Sequence, residues 1–500
     1  MTFTFDGREI EGIDGEPLAV SLLAAGQPIL SRSFRFHRAR GLMCSTGQCG
    51  WCECEVDGRP SVRSCRVPVR EGLVARGEHA LPNVSRDALS LVGLASRWIP
   101  PTFYHHRFLR PKALRKRYLE VLRWFGGRGR LHVGPRPAIV GRLAQRIETD
   151  VLVVGGGRAG LNAAVDATDR RQRVVLVEAE RELGGRWRTE ADAGSVGDLI
   201  ARATSAGVRV LTGTTAVGWY DGMVAAIGED AHLEIRAGSV VAATGSYERV
   251  PLVPGADRPG VMAARTVIAV TERFGVVPGD RALLVGEGLE LATAGEWLRR
   301  TGSVVLGPVP TPSLVSIQGS RHVTGATTRS GETRTTHAVD LVVFGDRSPN
   351  LDLVLAAGAA VERRGDALVP VLDESGRTTV DTLAVVGSAV GPATERGHRH
   401  ATLPGGDGTP ILASSMVCFC EDVRAGEVRA EQAAGYTDPE LIKRRTGALT
   451  GPCQGKYCLQ SFACLVGTAA DDAAVPLPTA RPPLRPIRLG DLVARDEDTP

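Results

Sequence analysis

Five hundred residues with 43% hydrophobic side chains are enough for several domains with ordinary cores, and a formal net charge of +4 is too slight to call for nucleic acid or a membrane surface as partner. No run approaches the ~18 consecutive apolar residues of a membrane span. The opening MTFTFDGREIEGIDGEP is acidic and polar where a signal peptide is basic and then apolar, so the cytoplasm is the expected compartment.

Residues 1–85 open with a short strand pattern (Phe3, Phe5), a turn at Asp6-Gly7 and a helix-like run from Leu18 to Ala25. Then follows Cys44-x4-Cys49-x2-Cys52-x12-Cys65, the plant-type ferredoxin spacing, in which three thiolates share one loop and a fourth arrives from beyond a hairpin. Asp57-Gly58 supplies the hairpin turn, and Gly47 and Gly50 let the loop wrap closely with backbone N–H groups aimed inward. A four-thiolate zinc site is the alternative. Cys54 shares strand parity with Cys52 and Val56 and reads as a small buried apolar residue.

Residues 86–148 alternate basic and aromatic side chains around WIPPTFYHHRFLRPKALRKRYLEVLRWFGGRGR. Alone this could point to nucleic acid. A connector is the plainer reading: Pro100, Pro101 and Pro111 break the stretch, and a helix from Pro111 to Phe125 would present Leu114, Tyr118, Val121, Leu122 and Phe125 on one face. Its Arg and Lys residues could meet an acidic partner.

Residues 149–415 read as an α/β core of two dinucleotide-binding domains. The strand Val151 to Val154, a glycine loop, an Ala-rich helix and the return strand Val174 to Val177 ending in Glu178 form a complete unit. Gly155 allows the tight turn, Gly157 lets backbone N–H groups approach a pyrophosphate, and Gly160 lets the helix pack on the strand. Glu178, 23 residues after Gly155, is placed to accept hydrogen bonds from an adenosine ribose. Tight strand-to-helix packing alone is the competing explanation. Gly185 and Arg186 extend a loop over the phosphates, and Thr244-Gly245 closes a strand that returns beneath the nucleotide before a proline link.

A second unit, RALLVGEGLELATAGEWLRRTGSVVLGP, about 280–310, is degenerate. Leu291 stands at the third glycine position, Glu287 sits in the loop a pyrophosphate would occupy, and the return strand is expected to end in Gly307 where an acid or Arg would select NAD or NADP. TVDTLAVVGSAVGP places Gly387-Ser388 where a flavoprotein signature ends Gly-Asp. The five cysteines Cys44, Cys49, Cys52, Cys54 and Cys65 and the five from Cys418 onward are separated by 352 residues without cysteine. A flavin here would have no dithiol to exchange with, which excludes disulfide-reductase chemistry.

In residues 416–468, Cys418-x-Cys420 and Cys453-x4-Cys458 flank two short helices, the second opened by Asp438-Pro439 and closed by Gly447. Zinc is again the alternative. Cys464 is expected on a helix facing the core, and the Pro-rich tail, 469–500, is expected to be extended.

The segments SFRFHRARGLMCSTGQCGWCECEVDG and RSCRVPVREG resemble the N-terminal 2Fe-2S module of alpha subunits of heteromeric sarcosine, opine, proline and hydroxyproline dehydrogenases and of hydrogen cyanide synthase. CQGKYC is similar to the closing motif of a bacterioferritin-associated-ferredoxin-like 2Fe-2S domain, and RPPLRPIRLGDLV resembles the family's final segment. The resemblance implies a two-dinucleotide-domain flavoprotein core with an N-terminal α+β ferredoxin-like domain and a small helical C-terminal 2Fe-2S domain. It also implies FAD, or NAD in the same site, held by Gly155, Gly157, Gly160, Glu178, Gly185, Arg186, Thr244, Gly245 and Gly387. Two 2Fe-2S clusters would sit on Cys44, Cys49, Cys52 and Cys65 and on Cys418, Cys420, Cys453 and Cys458. In the family the amino acid is oxidised at FAD in a separate catalytic beta subunit, in some cases with FMN between subunits; because the clusters would route electrons away from the flavin, a quinone or carrier protein is expected as acceptor rather than oxygen. The expectation is therefore an electron-transfer alpha subunit. The alternatives are a self-sufficient NAD(P)H-dependent reductase and a non-catalytic scaffold or redox-sensing subunit. No catalytic residue is legible.

Overall fold

A computed structural model of the protein describes residues 1–103, 111–126, 142–186, 193–365, 367–391, 411–467, 476–487 and 489–495. Parts of the expected connector and of the Pro-rich tail lie outside these. The chain divides into two compact units, one made of Met1–Gly134, Glu248–Asp346 and Ala401–Val466, the other of Pro135–Tyr247, Arg347–His400 and Gly467–Pro500. The stretch read as one core, 149–415, is thus shared between them, and the second dinucleotide-type domain belongs to the unit that carries all ten cysteines.

In that first unit the N-terminal strand Thr2–Phe5 alternates half-buried Thr with buried Phe, so Phe3 and Phe5 face the core. It lies in a five-stranded sheet ordered Arg8–Glu11, Thr2–Phe5, Val74–Gly77, Glu53–Val56, Arg59–Arg63, and the helix Leu18–Ala24 packs Leu18 and Leu22 against it. The Asp57-Gly58 turn has both residues at positive φ, 49° and 74°, and joins Val56 to its partner Arg59 as the hairpin reading required. Val261–Ala263, Leu341–Phe344, Arg281–Val285 and Val304–Val309 form a parallel sheet in that order, with the helices Ala264–Phe274 and Leu289–Arg300 sharing the ferredoxin-like domain's core. The return strand does not stop at Gly307: it bulges there and continues to Val309, which pairs with Val285.

The C-terminal part of this unit is a short hairpin, Met416–Cys418 with Val423–Arg424, and three helices, Ala425–Ala433, Pro439–Thr446 and Leu459–Val466. Asp438 caps the second helix by accepting the Leu441 N–H at 2.8 Å, and Gly447 closes it at φ 74°. Cys464 lies on the third helix, half-buried at the edge of the core. The connector helix is Lys112–Gly126, and on its apolar face Leu114 and Val121 are 44% and 57% exposed.

The second unit is built on a doubly wound sheet. Arg209–Leu211, Val174–Val177, Arg142–Val154, Ala231–Ala242 and Leu383–Val385 run parallel in that order, extended by the antiparallel hairpin Thr215–Tyr220 and Met223–Ile227. The continuous apolar runs Val151 to Val154 and Val174 to Val177 are buried on both faces, as parallel strands covered by helices must be. The helix Arg158–Asp169 lays Leu161, Ala164 and Val165 on them. Among the described residues, no helix is long and apolar enough to cross a membrane.

Candidate cluster and dinucleotide sites

The first cysteine loop folds back on itself so that its four candidate ligands, all buried, meet in pairs. Cys44 and Cys49 are hydrogen-bonded to each other, and so are Cys52 and Cys65. Although burial pushes the Cys44 thiol up, hydrogen bonds from Cys49 and Thr46 hold it well below the ordinary thiol range. The Cys65 hydrogen bond lowers Cys52 in the same way. The Thr46 hydroxyl donates to Cys44 Sγ at 3.3 Å, the Trp51 N–H donates to Cys49 Sγ at 3.4 Å, and the Gly47 N–H is directed at Cys65. Cys54 stands apart, wholly buried, its thiol donating to the Leu30 carbonyl at 3.4 Å.

The second set behaves alike. Cys453 accepts from Cys420 and Cys458 and is held well below the usual thiol value by them, while Cys458 is also bonded to Cys418. The Tyr457 N–H points at Cys453. Gly451 lets the loop close, because a Cβ there would lie 2.2 Å from the Cβ of Cys420. Among the described residues, no three His, Cys, Asp or Glu side chains gather around one point as a single metal ion would require. Paired thiols with N–H groups aimed at sulfur fit binuclear iron–sulfur cores, in which four Cys thiolates are shared by two irons.

The two cysteine sets adjoin. Cys44, Cys49, Trp51, Phe419, Cys453 and Tyr457 belong to one hydrophobic cluster, and the Trp51 and Phe419 rings are 5.0 Å apart. A buried charge network clamps the junction. Arg40 donates to Asp422 at 2.7 Å, to Asp257 at 2.5 Å and to the Phe419 carbonyl at 3.0 Å. Arg38 pairs with Asp257, and Arg35 with Glu427. Burial alone would raise the Asp257 carboxyl; the Arg38 and Arg40 guanidiniums instead hold it far below the usual carboxylate range. None of these residues stands out in the sequence by itself. The available signals are the cluster Arg35, Arg38, Arg40 just before the first ligand and Asp422 just after Cys420.

In the second unit, the expected dinucleotide residues converge on the N-terminus of the helix Arg158–Asp169. Gly155, at φ 112°, and Gly160 are steric necessities: a Cβ would lie 2.3 Å from the Ala243 carbonyl oxygen at the first and 1.9 Å from the Gly155 carbonyl oxygen at the second. Gly157, the N-cap, differs, since a Cβ there would meet nothing within 4 Å among the described residues. Open space above orphan helix N–H groups is what a pyrophosphate needs, and these residues fit a dinucleotide. Gly184 bridges to Gly157, which brings the Gly185-Arg186 loop alongside. Glu178 accepts the Gly156 N–H at 2.6 Å and the Glu180 N–H at 2.8 Å, so the glycine loop itself holds the carboxylate. Asn350 pins the Thr244-Gly245 turn, its N–H donating to the Gly245 carbonyl at 3.0 Å and its own carbonyl accepting the Thr244 hydroxyl at 3.1 Å. Gly387 approaches the helix start, where a Cβ would come 2.6 Å from Ala159, and Ser388 Oγ lies 4.0 Å from the Cβ position of Gly245.

The degenerate second loop has a physical reason for its shape. Leu291 is buried, and its Cβ occupies the room a third glycine would have left; Gly345 on the neighbouring strand end makes way instead, a Cβ there falling 2.8 Å from that of Leu291.

The paired cysteines and the open glycine loop have the layout of iron–sulfur and dinucleotide-binding sites. Residues 1–80 match the family described as 2Fe-2S iron-sulfur cluster binding domain, residues 149–306 pyridine nucleotide-disulphide oxidoreductase, and residues 413–496 sarcosine oxidase A3 domain. The chain is homologous to sarcosine oxidase alpha subunits and opine oxidase A subunits. It is 28% identical to the sarcosine oxidase alpha subunit of Rhizobium meliloti (strain 1021) over 98% of this chain and 57% of that protein. It is 23% identical to the opine oxidase A subunit of Agrobacterium tumefaciens (strain Ach5) over 69% of this chain and 91% of that one. It therefore spans little more than half the length of the sarcosine oxidase relative. The fold matches that of L-proline dehydrogenase from P. horikoshii with a TM-score of 0.71 at 23% identity, covering 98% of this chain and 97% of the other.

Proposed function

We propose that the chain is the electron-transfer alpha subunit of a heteromeric FAD-dependent dehydrogenase of amino acids or opines, of the sarcosine, proline or hydroxyproline type, acting on CH–NH or CH–NH2 groups. Catalysis would reside in an FAD-containing beta subunit, with FMN at the subunit interface and a quinone or carrier protein as acceptor. The observation that carries the reading is the convergence of eight cysteines, seven buried and Cys420 half-buried, into two pairwise hydrogen-bonded sets in a chain that also holds an open glycine loop. The names of the relatives, oxidases with designated subunits, point the same way.

Cys44, Cys49, Cys52 and Cys65 would hold one 2Fe-2S cluster and Cys418, Cys420, Cys453 and Cys458 the other. Gly155, Gly157, Gly160, Glu178, Gly185, Arg186, Thr244, Gly245 and Gly387 would hold FAD, or NAD in the same place. A bound flavin supplies two-electron chemistry and a 2Fe-2S cluster one-electron chemistry. The chain's own part is to hold the thiols buried with N–H groups directed at sulfur, and to offer the Gly157 helix terminus to a pyrophosphate. A stand-alone NAD(P)H reductase is disfavoured, because Leu291 fills the close-approach position of the second dinucleotide-type domain and Glu287 puts a negative charge where a pyrophosphate would bind.

The reading is tested by anaerobic optical titration, with NADH and then with amino acids in the presence of a co-purified beta subunit. Bleaching only by an amino acid and only with the partner supports it. Rapid bleaching of the isolated chain by NADH would replace it with the reductase.

A further inference from the structure

The two cysteine sets, 352 residues apart in sequence between Cys65 and Cys418, are in direct contact in one compact unit. Cys420 Sγ lies 3.8 Å from the Cys49 carbonyl oxygen, so a candidate ligand of one centre touches the backbone of a candidate ligand of the other. Trp51, between Cys49 and Cys52, meets Phe419, between Cys418 and Cys420, with ring centroids 5.0 Å apart. Tyr457, next to Cys458, reaches across to Thr46 beside Cys44. These side chains lie in a shared hydrophobic core, and the Arg63 guanidinium bonds the Pro452 carbonyl, next to Cys453, at the rim. Arg40 fixes the arrangement: it spans Asp257 and Asp422, holds the Phe419 carbonyl and lies with its guanidinium carbon 5.6 Å from the Trp51 ring centroid.

We infer that the two centres are a single electronically coupled pair, joined at the Cys49–Cys420 contact and the Trp51–Phe419 rings, rather than two independent modules. This rests on the assignment of a cluster to each cysteine set. One electron leaves one centre and enters the other; no bond is made or broken, and no proton has to move. Across a buried junction the charge of one reduced centre is screened less than in water and is felt by the other.

The test is electron paramagnetic resonance on the anaerobically purified full chain, with iron and acid-labile sulfide counted on the same sample, first partly and then fully reduced with dithionite. The expected result is that the signal of the centre reduced first becomes split or faster-relaxing when its neighbour is reduced. In Cys453→Ser, which removes one ligand of the second centre, the first centre should revert to a simple unsplit signal at full reduction. Two clusters by iron and sulfide whose fully reduced spectrum is the plain sum of two isolated signals would overturn the coupling while leaving the cluster assignment intact. Splitting that persists in Cys453→Ser after loss of the second centre would also overturn it. A sample that takes up only one cluster would overturn both. The wild-type spectrum decides the matter even if the variant does not fold.

Discussion

Arg40 Nη2 lies 2.7 Å from Asp422 Oδ1, joining residues 382 positions apart, with both side chains almost fully buried. The same guanidinium reaches Asp257, so one cation serves three parts of the chain: the ferredoxin-like domain, the second dinucleotide-type domain and the C-terminal cysteine module. A buried charge with hydrogen-bonded partners is costly to interrupt, because the carboxylate left behind has no water to turn to. Arg40→Met should therefore destabilise this unit by about 3–5 kcal/mol. Denaturant midpoints followed by Trp fluorescence would measure the loss; a change below about 0.5 kcal/mol would mean that water enters the junction.

Asp257 makes the same network pH-dependent. Its carboxyl is held far below the ordinary range, so the stabilisation is present above the unfolded-state pKa and is lost as the pH falls toward the folded-state value. The stability gap between wild type and Asp257→Asn should be widest near neutral pH and shrink below about pH 5. A gap that is constant over that range would mean the carboxylate is not the titrating group.

The glycine loop separates packing from binding. Gly160→Ala would place a Cβ 1.9 Å from the Gly155 carbonyl oxygen and should unfold the second unit, a loss above about 4 kcal/mol. At Gly157 a Cβ would meet no described protein atom within 4 Å, and the backbone at φ −77° suits any residue, so Gly157→Val should cost only about 1 kcal/mol as a poorer cap while abolishing nucleotide retention. Thermal midpoints and released-nucleotide analysis on both variants check this. Full nucleotide occupancy in a folded Gly157→Val protein would mean the pyrophosphate lies elsewhere.

Leu114 and Val121 lie exposed on the helix Lys112–Gly126. Replacing both with Gln should change the stability of the isolated chain by less than about 0.5 kcal/mol. A larger loss would show that the helix packs more closely in solution.

Much of this was legible in sequence where local chemistry decides. The spacing Cys44-x4-Cys49-x2-Cys52, the Asp57-Gly58 turn, the Asp438 cap and the Val151 to Gly160 loop each carry their geometry within a few residues. What could not be read depends on contacts between distant segments. Nothing local says that Phe419 will pack against Trp51, that Arg40 will find Asp422, or that Gly345 will yield to Leu291. The connector helix shows the opposite limit. Its apolar periodicity foretold the helix but not its burial, because periodicity marks a face without naming what covers it. The division of 149–415 between two units was half legible: the proline link after Gly245 marks a change of domain, but nothing local says that Glu248–Asp346 belongs with the cysteine modules.

The proposed two 2Fe-2S clusters and one dinucleotide are best checked by anaerobic purification followed by iron, zinc, acid-labile sulfide and released-nucleotide analysis on one sample. The expected content is about four iron, about four sulfide and about one FAD or NAD per chain. Zinc without sulfide would contradict both cluster assignments at once.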